Sequence, residues 1–282
     1  GQDFPACGQV LYAGGDVNRV AHETVFAATF RADIAGDHIT CIEADAGLDR
    51  GQTLGLVERV DLGVRLAGGV PAFARCEVEG GVWRLDRASL EAAVTPRTRA
   101  FLMMSPAMPT GAVLTRDDWA AVCDACRRAD AWMIYDSAME RILFDGLEPI
   151  HPASFPGMAE RTIVLDGHSK TYAMTGWRLG YGIMPKELAP VIGQLMTNVN
   201  SCTASFTQVA GAEALLGDQS GAQAMVKEFR ARRDMLVAAL NEIPGVSCKL
   251  PGGAFYVFPN ISELGMPSID FQKRLLEEYG VA

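Results

Sequence analysis

Short apolar or β-branched runs alternate with helix-period patterns along most of this chain, and that alternation restricts the fold more than any other feature. The runs at 38–43, 71–75, 100–104, 131–135, 162–165 and 179–184 read as strands. Helical patterns fall between them near 20–31, 54–66, 87–93, 116–128 and 185–196. Thr115, followed three residues on by Asp118, has the spacing of a capping box at the start of the fourth helix. Such an order predicts an α/β unit around a mainly parallel sheet. Helical patterning then dominates 204–242, with Met225, Phe229, Leu236 and Leu240 on one apolar face. On the same helix, the charge run 230–233 reads as a solvated face. Past Pro244-Gly245 the pattern changes to a strand pair, 246–250 and 254–258, joined by Pro251-Gly252-Gly253. A short helix follows at 271–279.

Composition narrows the function classes. The net charge is −9, which argues against a nucleic-acid surface, since that needs an electropositive face to displace counterions from phosphate. No apolar run reaches the roughly 18 residues of a membrane span, and the first residues do not open a signal peptide. A soluble, cytoplasmic protein that binds neither membrane nor nucleic acid is expected. Seven scattered cysteines read as reduced thiols. Cys123 and Cys126 have redox or metal-knuckle spacing, but with Trp119 and Val122 they continue one helical stripe, so their expected role is packing. His22, His38 and His151 are too dispersed to suggest a metal site.

In a doubly wound sheet, chemistry gathers at the carboxyl ends of strands. One such end delivers Asp136. Another leads through Asp166-Gly-His-Ser to Lys170, with Arg178 eight residues beyond, and a third opens into the loop Ser105-Pro-Ala-Met-Pro-Thr-Gly111. A shielded lysine is a nucleophilic amine, a carboxylate can keep a pyridine nitrogen protonated, and an arginine binds phosphate through two parallel hydrogen bonds. Together they meet the needs of a pyridoxal-phosphate site. Taken singly, a lysine or arginine is usually solvated, and a strand-end aspartate often caps a turn.

The segment Ser169-Lys-Thr-Tyr-Ala-Met-Thr-Gly-Trp-Arg-Leu-Gly-Tyr181 resembles the lysine signature of the class I/II aminotransferases, pyridoxal-phosphate enzymes of fold type I. The loop 105–111 resembles their N-P-x-N-P-T-G, and Asp136-Ser-Ala-Met139 stands where they have D-E-x-Y. Pro251-Gly-Gly-Ala-Phe-Tyr-Val-Phe258 resembles the start of their C-terminal domain, and Leu66-Ala-Gly-Gly-Val-Pro71 and Trp83-Arg-Leu-Asp86 fit the spacing. The likeness runs from about residue 36 to 260 and is most specific over 158–185.

That resemblance implies a mainly parallel seven-stranded sheet flanked by helices. It places a cofactor-binding large domain at 1–244, with a shortened N-terminal segment, and the start of a small α+β domain, cut short, at 245–282. The implied activity is transamination between an amino acid and a 2-oxo acid by a homodimer, with pyridoxal 5'-phosphate as cofactor. Lys170 would hold the cofactor as an internal aldimine and then move a proton at the substrate carbon. Asp136 would pair with the ring nitrogen and Arg178 would bind the phosphate. The backbone N–H groups of Ala21 and His22, where the family has a helix start, would also cradle the phosphate. Asn198, Ser201 and Thr203 would line the dimer or cofactor crevice, and Tyr172 and Trp177 would pack around the lysine loop. His168 would either influence proton transfer or sit on an exposed loop.

Departures from the family pattern cluster in the site. Met108 and Met139 stand where an asparagine and a tyrosine would hydrogen-bond the cofactor's phenolic oxygen, and a thioether cannot donate. Gly167 replaces a phosphate-binding serine, and Ala46-Gly47-Leu48 occupies the place of a stacking aromatic residue. Four such changes point to altered chemistry, a lost cofactor or a modified sequence. Elimination, decarboxylation or lyase chemistry on the same cofactor, or a degenerate binding module, are therefore the rival expectations. The family's long segment before residue 20 and its substrate-binding arginine beyond Ala282 are either absent from the protein or outside this chain.

Overall fold

The computed structural model describes residues 11–14 and 38–42 as strands, and then 64–65, 67–79 and 82–281. Its centre is a seven-stranded sheet. The strands are β1 (Leu11–Gly14), β2 (His38–Ile42), β3 (Val70–Ala74), β6 (Thr98–Met104), β7 (Trp132–Asp136), β8 (Thr162–Gly167) and β9 (Leu179–Ile183). Their spatial order is β1-β9-β8-β7-β6-β2-β3. All pairs from β3 through β8 are parallel; β9 runs antiparallel to both β8 and β1. The expected mainly parallel sheet is therefore present.

Period-two alternation in the central strands feeds two cores, one on each face. Ala100, Leu102, Ile134, Ile163 and Leu165 pack with Ala189, Ile192 and Met196 on one side. Phe101, Met103, Met133, Tyr135 and Val164 pack with Trp119, Val122, Cys123 and Cys126 on the other. The first core is closed by a helix spanning Ala189–Asn200, a few residues later than its pattern predicts. The second is closed by α1 (Arg87–Ala93) and α2 (Arg116–Arg128), with the predicted boundaries. Thr115 and Asp118 form the expected capping box. Cys123 and Cys126 are fully buried, and burial pushes their thiols up to about 11 and about 12, so packing is their role.

The remaining helices are α3 (His168–Thr171), α4 (the Ala189–Asn200 helix above), α5 (Ser205–Leu216), α6 (Ser220–Asn241) and α7 (Ser268–Tyr279). On α6 the buried residues are Arg233 and Val237, whereas Leu236 is largely exposed. The 230–233 charge run is thus not wholly a solvated face: Arg233 is buried because Asp145 and a backbone carbonyl give its guanidinium partners. Of two short strand pairs, one is not signalled in the sequence and the other has its second strand displaced. One joins β4 (Cys76–Glu79) to β5 (Val82–Leu85). In the other, β10 (Ser247–Cys248) pairs with β11 (Pro259–Asn260) rather than with the expected 254–258.

Residues 251–255 turn instead onto the main sheet's loops. Phe144 N–H donates to Gly252 O at 2.9 Å, Gly253 N–H to Gly111 O at 3.2 Å, and Ala254 N–H to Ile142 O at 2.8 Å. Glycine makes this approach possible: a Cβ on Gly253 would stand 2.7 Å from Ile142 O and overlap Pro106. Among the described residues, no helix is long and apolar enough to cross a membrane.

Candidate functional site

Strands β7 and β8 are neighbours in parallel register, with Asp136 opposite Leu165. Asp136 therefore ends one strand beside the strand whose continuation, through Gly167 into α3, carries Lys170. Asp136 is only 5% exposed, and its Oδ1 accepts the Ala138 N–H at 3.0 Å. Lys170 is half-buried, with Nζ 5.5 Å from the centroid of the Phe255 ring. Phe255 reaches it through the 251–255 segment, a contact that local sequence cannot reveal. Arg178 follows a single 3-10 turn (Thr175–Trp177) in the left-handed region, φ 54°, and enters β9. Its Nη1 donates to Thr175 O at 2.6 Å. A non-glycine residue held there costs on the order of 1 kcal/mol, so the surrounding fold must impose it.

A polar network lies behind the lysine turn, and of its members the sequence singles out only His168 and Tyr172. Asp166 accepts the Tyr181 hydroxyl at 2.5 Å and the Gly167 N–H at 2.6 Å. Burial nevertheless pushes its carboxyl up to about 6, with the Asp136 charge adding to the rise. Glu140 is pushed up to about 7 by burial first and then by the Asp166 charge. Arg141 donates to the Tyr172 hydroxyl at 2.5 Å and opposes both shifts. The sequence signal for Glu140 is only its place beside Met139. His168 is fully buried, not on an exposed loop. Its Nε2 lies 3.1 Å from Gly211 O, while Nδ1 has no hydrogen-bond partner.

Met139 is buried and Met108 half-buried, and as thioethers neither offers a hydroxyl or an amide. Tyr172 packs tilted against His168, as expected of the lysine loop, but Trp177 is 47% exposed. The contrast is steric: Trp177 closes an outward-facing turn, where it lines an open depression with Ala173, Gly176, Phe206 and Thr207. Thr203 is buried with an unpartnered hydroxyl, while Asn198 and Ser201 are exposed. Ala21, His22 and 46–48 lie outside the described residues, as do most of the helical patterns at 20–31 and 54–66. His151 caps a turn, its Nδ1 accepting the Ala153 N–H at 3.2 Å. Among the described residues no cluster of His, Cys, Asp or Glu suits a metal ion.

The chemistry of this donor set suits the functional groups of pyridoxal phosphate. A buried carboxylate and an amine lie at neighbouring strand ends, and a guanidinium stands at the mouth of the next strand. They match a basic ring nitrogen, an aldehyde and a phosphate.

Comparison with known proteins agrees with the fold and the motifs. The profile of the family described as aminotransferase class I and II matches residues 59–282. The aspartate/prephenate aminotransferase of Cereibacter sphaeroides is 41% identical over 231 residues, 78% of this chain and 58% of that protein. Aromatic-amino-acid aminotransferase 2 of Thermococcus litoralis is 37% identical over 217 residues, 76% of this chain and 55% of its own. Among solved structures, the N-succinyldiaminopimelate aminotransferase of Mycobacterium tuberculosis superposes with a TM-score of 0.84 at 31% identity, over 97% of this chain and 67% of that one. The chain thus spans little more than half the length of these curated relatives. With most of its length matched by the family profile, the chain belongs to the class I and II aminotransferases.

Proposed function

We propose that this chain carries the cofactor-binding core of a pyridoxal-phosphate-dependent aminotransferase that exchanges an amino group between an amino acid and a 2-oxo acid. Members of the family use pyridoxal 5'-phosphate. The observation that carries the reading is the delivery of Asp136 and Lys170 by adjacent parallel strands, β7 and β8. When bound, the cofactor supplies an electron-accepting ring that stabilises negative charge on the carbon bearing the amino group.

The chain's own residues do the rest. Lys170 Nζ would be the point that holds the cofactor, and its amine would be the base that carries a proton at the substrate carbon. Asp136, nearly excluded from water, holds the proton on the ring nitrogen, because a buried carboxylate gains more from a cationic partner than an exposed one does. Arg178 would bind the phosphate; the family resemblance assigns the same role to Ala21 and His22, which lie outside the described residues. Phe255 excludes water from one side of the lysine.

A homodimer is part of this reading. Its support is the exposed apolar surface around Trp177, which includes Phe206 at 71% exposure and shares the same depression. A cytoplasmic setting is supported by the unpaired cysteines among the described residues. Aspartate and aromatic amino acids, named for the relatives, are the first donors to test.

The test adds pyridoxal phosphate to the purified protein and records the visible spectrum. It then reduces the mixture with borohydride and maps the mass increment. A visible band, an increment on the Lys170 peptide and loss of both in Lys170→Ala are expected. An unchanged band in Lys170→Ala would refute the lysine assignment. Ultracentrifugation decides the dimer.

A further inference from the structure

Outside the residues assigned to the cofactor, the most heavily bonded buried charge among the described residues is Arg233. Its side chain is 5% exposed, and a guanidinium brought out of water needs acceptors for its five donors. Nη1 donates to Asp145 Oδ2 at 2.7 Å and to Pro251 O at 3.0 Å, and Nη2 to Asp145 Oδ1 at 3.2 Å. Nε donates to Asp234 Oδ1 at 2.8 Å, and the guanidinium lies 4.7 Å from the centroid of the Phe144 ring. Exposed Arg230 adds a second cation on Asp145, at 3.0 Å. One side chain on α6 thereby joins the loop at 144–145 to the first carbonyl of the 251–255 segment.

That segment leads directly to the lysine. Beyond Pro251, the backbone bonds from Phe144, Gly253 and Ala254 seat it against the loops at 111 and 142–144. Ala254 is fully buried at φ 59°, a conformation that only the surrounding contacts can enforce. The chain then presents the Phe255 ring to Lys170 Nζ on one side and to Phe229 of α6, 5.4 Å away, on the other. The position of the ring depends on how the segment is seated. Arg233 holds the segment's start, and the same helix supplies the ring's neighbour.

We propose that Arg233 is a positioning residue for Lys170: by holding Asp145 and the Pro251 carbonyl together, it seats the 251–255 segment so that the Phe255 ring lies against the lysine amine. The functional weight of this arrangement rests on the reading of Lys170 as the cofactor's attachment point; the arrangement itself can be measured without cofactor.

The experiment compares acylation of Lys170 by a small amine-reactive reagent with acylation of exposed Lys186 in the same cofactor-free protein, read by peptide mass spectrometry. In F255L the Lys170 to Lys186 ratio is expected to rise about two- to tenfold, as the ring's cover and its attraction for the ammonium are lost. Lysine at position 233 cannot reproduce the two-pronged bond, so R233K should raise the same ratio. D145N, altering a half-exposed carboxylate, should do likewise and carries the test if R233K does not fold. R233K combined with F255L should match F255L alone, because both act through one ring. A merely structural Arg233 would raise Lys186 labelling in parallel, or add its effect to that of F255L. Either result, an unchanged ratio in D145N and in folded R233K, or an unchanged ratio in F255L would overturn the proposal. Failure of the aminotransferase reading shows separately, as absence of pyridoxal phosphate attachment at Lys170.

Discussion

The Tyr181 hydroxyl donates to Asp166 Oδ2 at 2.5 Å, between residues in direct antiparallel register on β9 and β8, four positions before Lys170. This bond and the Gly167 N–H hold a carboxyl that burial has pushed up to about 6 from an ordinary 3.8. Nearby Glu140 is pushed up to about 7 from 4.5, by burial and then by Asp166. Tyr135, Arg141, Tyr172 and Asp136 are the other titratable groups facing the pair.

Stability should therefore fall as pH rises. Between the unfolded values and these raised ones, the folded chain binds more protons than the unfolded chain. The stability the two carboxyls contribute is fully present below about pH 4 and is lost as pH rises through about 6 to 7. Asp166→Asn combined with Glu140→Gln should flatten the thermal midpoint between about pH 5 and about pH 8 and raise it at the upper end. Tyr181→Phe, which removes a donor to the ionised form, should steepen the fall. Calorimetry across that range checks this, and an equally steep profile in the double variant would show that the pair is not responsible.

Gly211 marks how tightly α5 is drawn onto the lysine turn. A Cβ there would overlap the Leu179 side chain and stand 3.1 Å from His168 Nε2, the atom that faces Gly211 O. Gly211→Ala should cost about 1–3 kcal/mol in urea unfolding, by forcing the helix away. Gly221 on α6 has nothing within 4 Å of the same added atom, so Gly221→Ala should be neutral or stabilise by up to about 1 kcal/mol. Equal effects at the two positions would contradict the packing.

The thiols should sort by depth. Cys202 is exposed, whereas Cys76, Cys123 and Cys126 are buried, and burial pushes Cys76 up to about 12. Maleimide treatment of the native protein, read peptide by peptide, should modify Cys202 promptly and these three only on unfolding. Prompt modification of Cys123 would mean that α2 opens.

Much of this arrangement was legible in the chain because its causes are local. The bounds of α2 follow from a helical apolar period and a capping pair three residues apart, and Asp136 and Lys170 come from neighbouring strand ends because successive parallel strands lie side by side. What escaped depends on distant partners. Arg233 reads as solvated until Asp145, 88 residues earlier, is brought to it. Phe255 meets Lys170 only because glycines at 111 and 253 let two loops touch, and no period records that. The hairpin of β4 and β5 is missed for another reason: four-residue strands, largely exposed, are too short to show alternation.

The cap of α2 offers a last test, since that helix supplies five buried residues, Trp119 among them, to one core. Asp118 N–H donates to Thr115 Oγ1 at 3.2 Å, and Thr115 N–H donates to Asp118 Oδ2 at 3.0 Å. Asp118 is buried, with Arg87 at 3.8 Å as a further cation. Thr115→Ala removes one acceptor from the helix start and should cost about 1 kcal/mol, while Thr115→Ser keeps the bond and should cost little. Asp118→Ala keeps that bond but strips the return bond, the acceptor of the Thr115 hydroxyl and the ion pair with Arg87, and leaves the Thr115 N–H unpaired, so its loss should exceed that of Thr115→Ala. Urea midpoints rank the three, and a ranking with Thr115→Ala below Asp118→Ala in stability would place the weight of the cap on the hydroxyl alone.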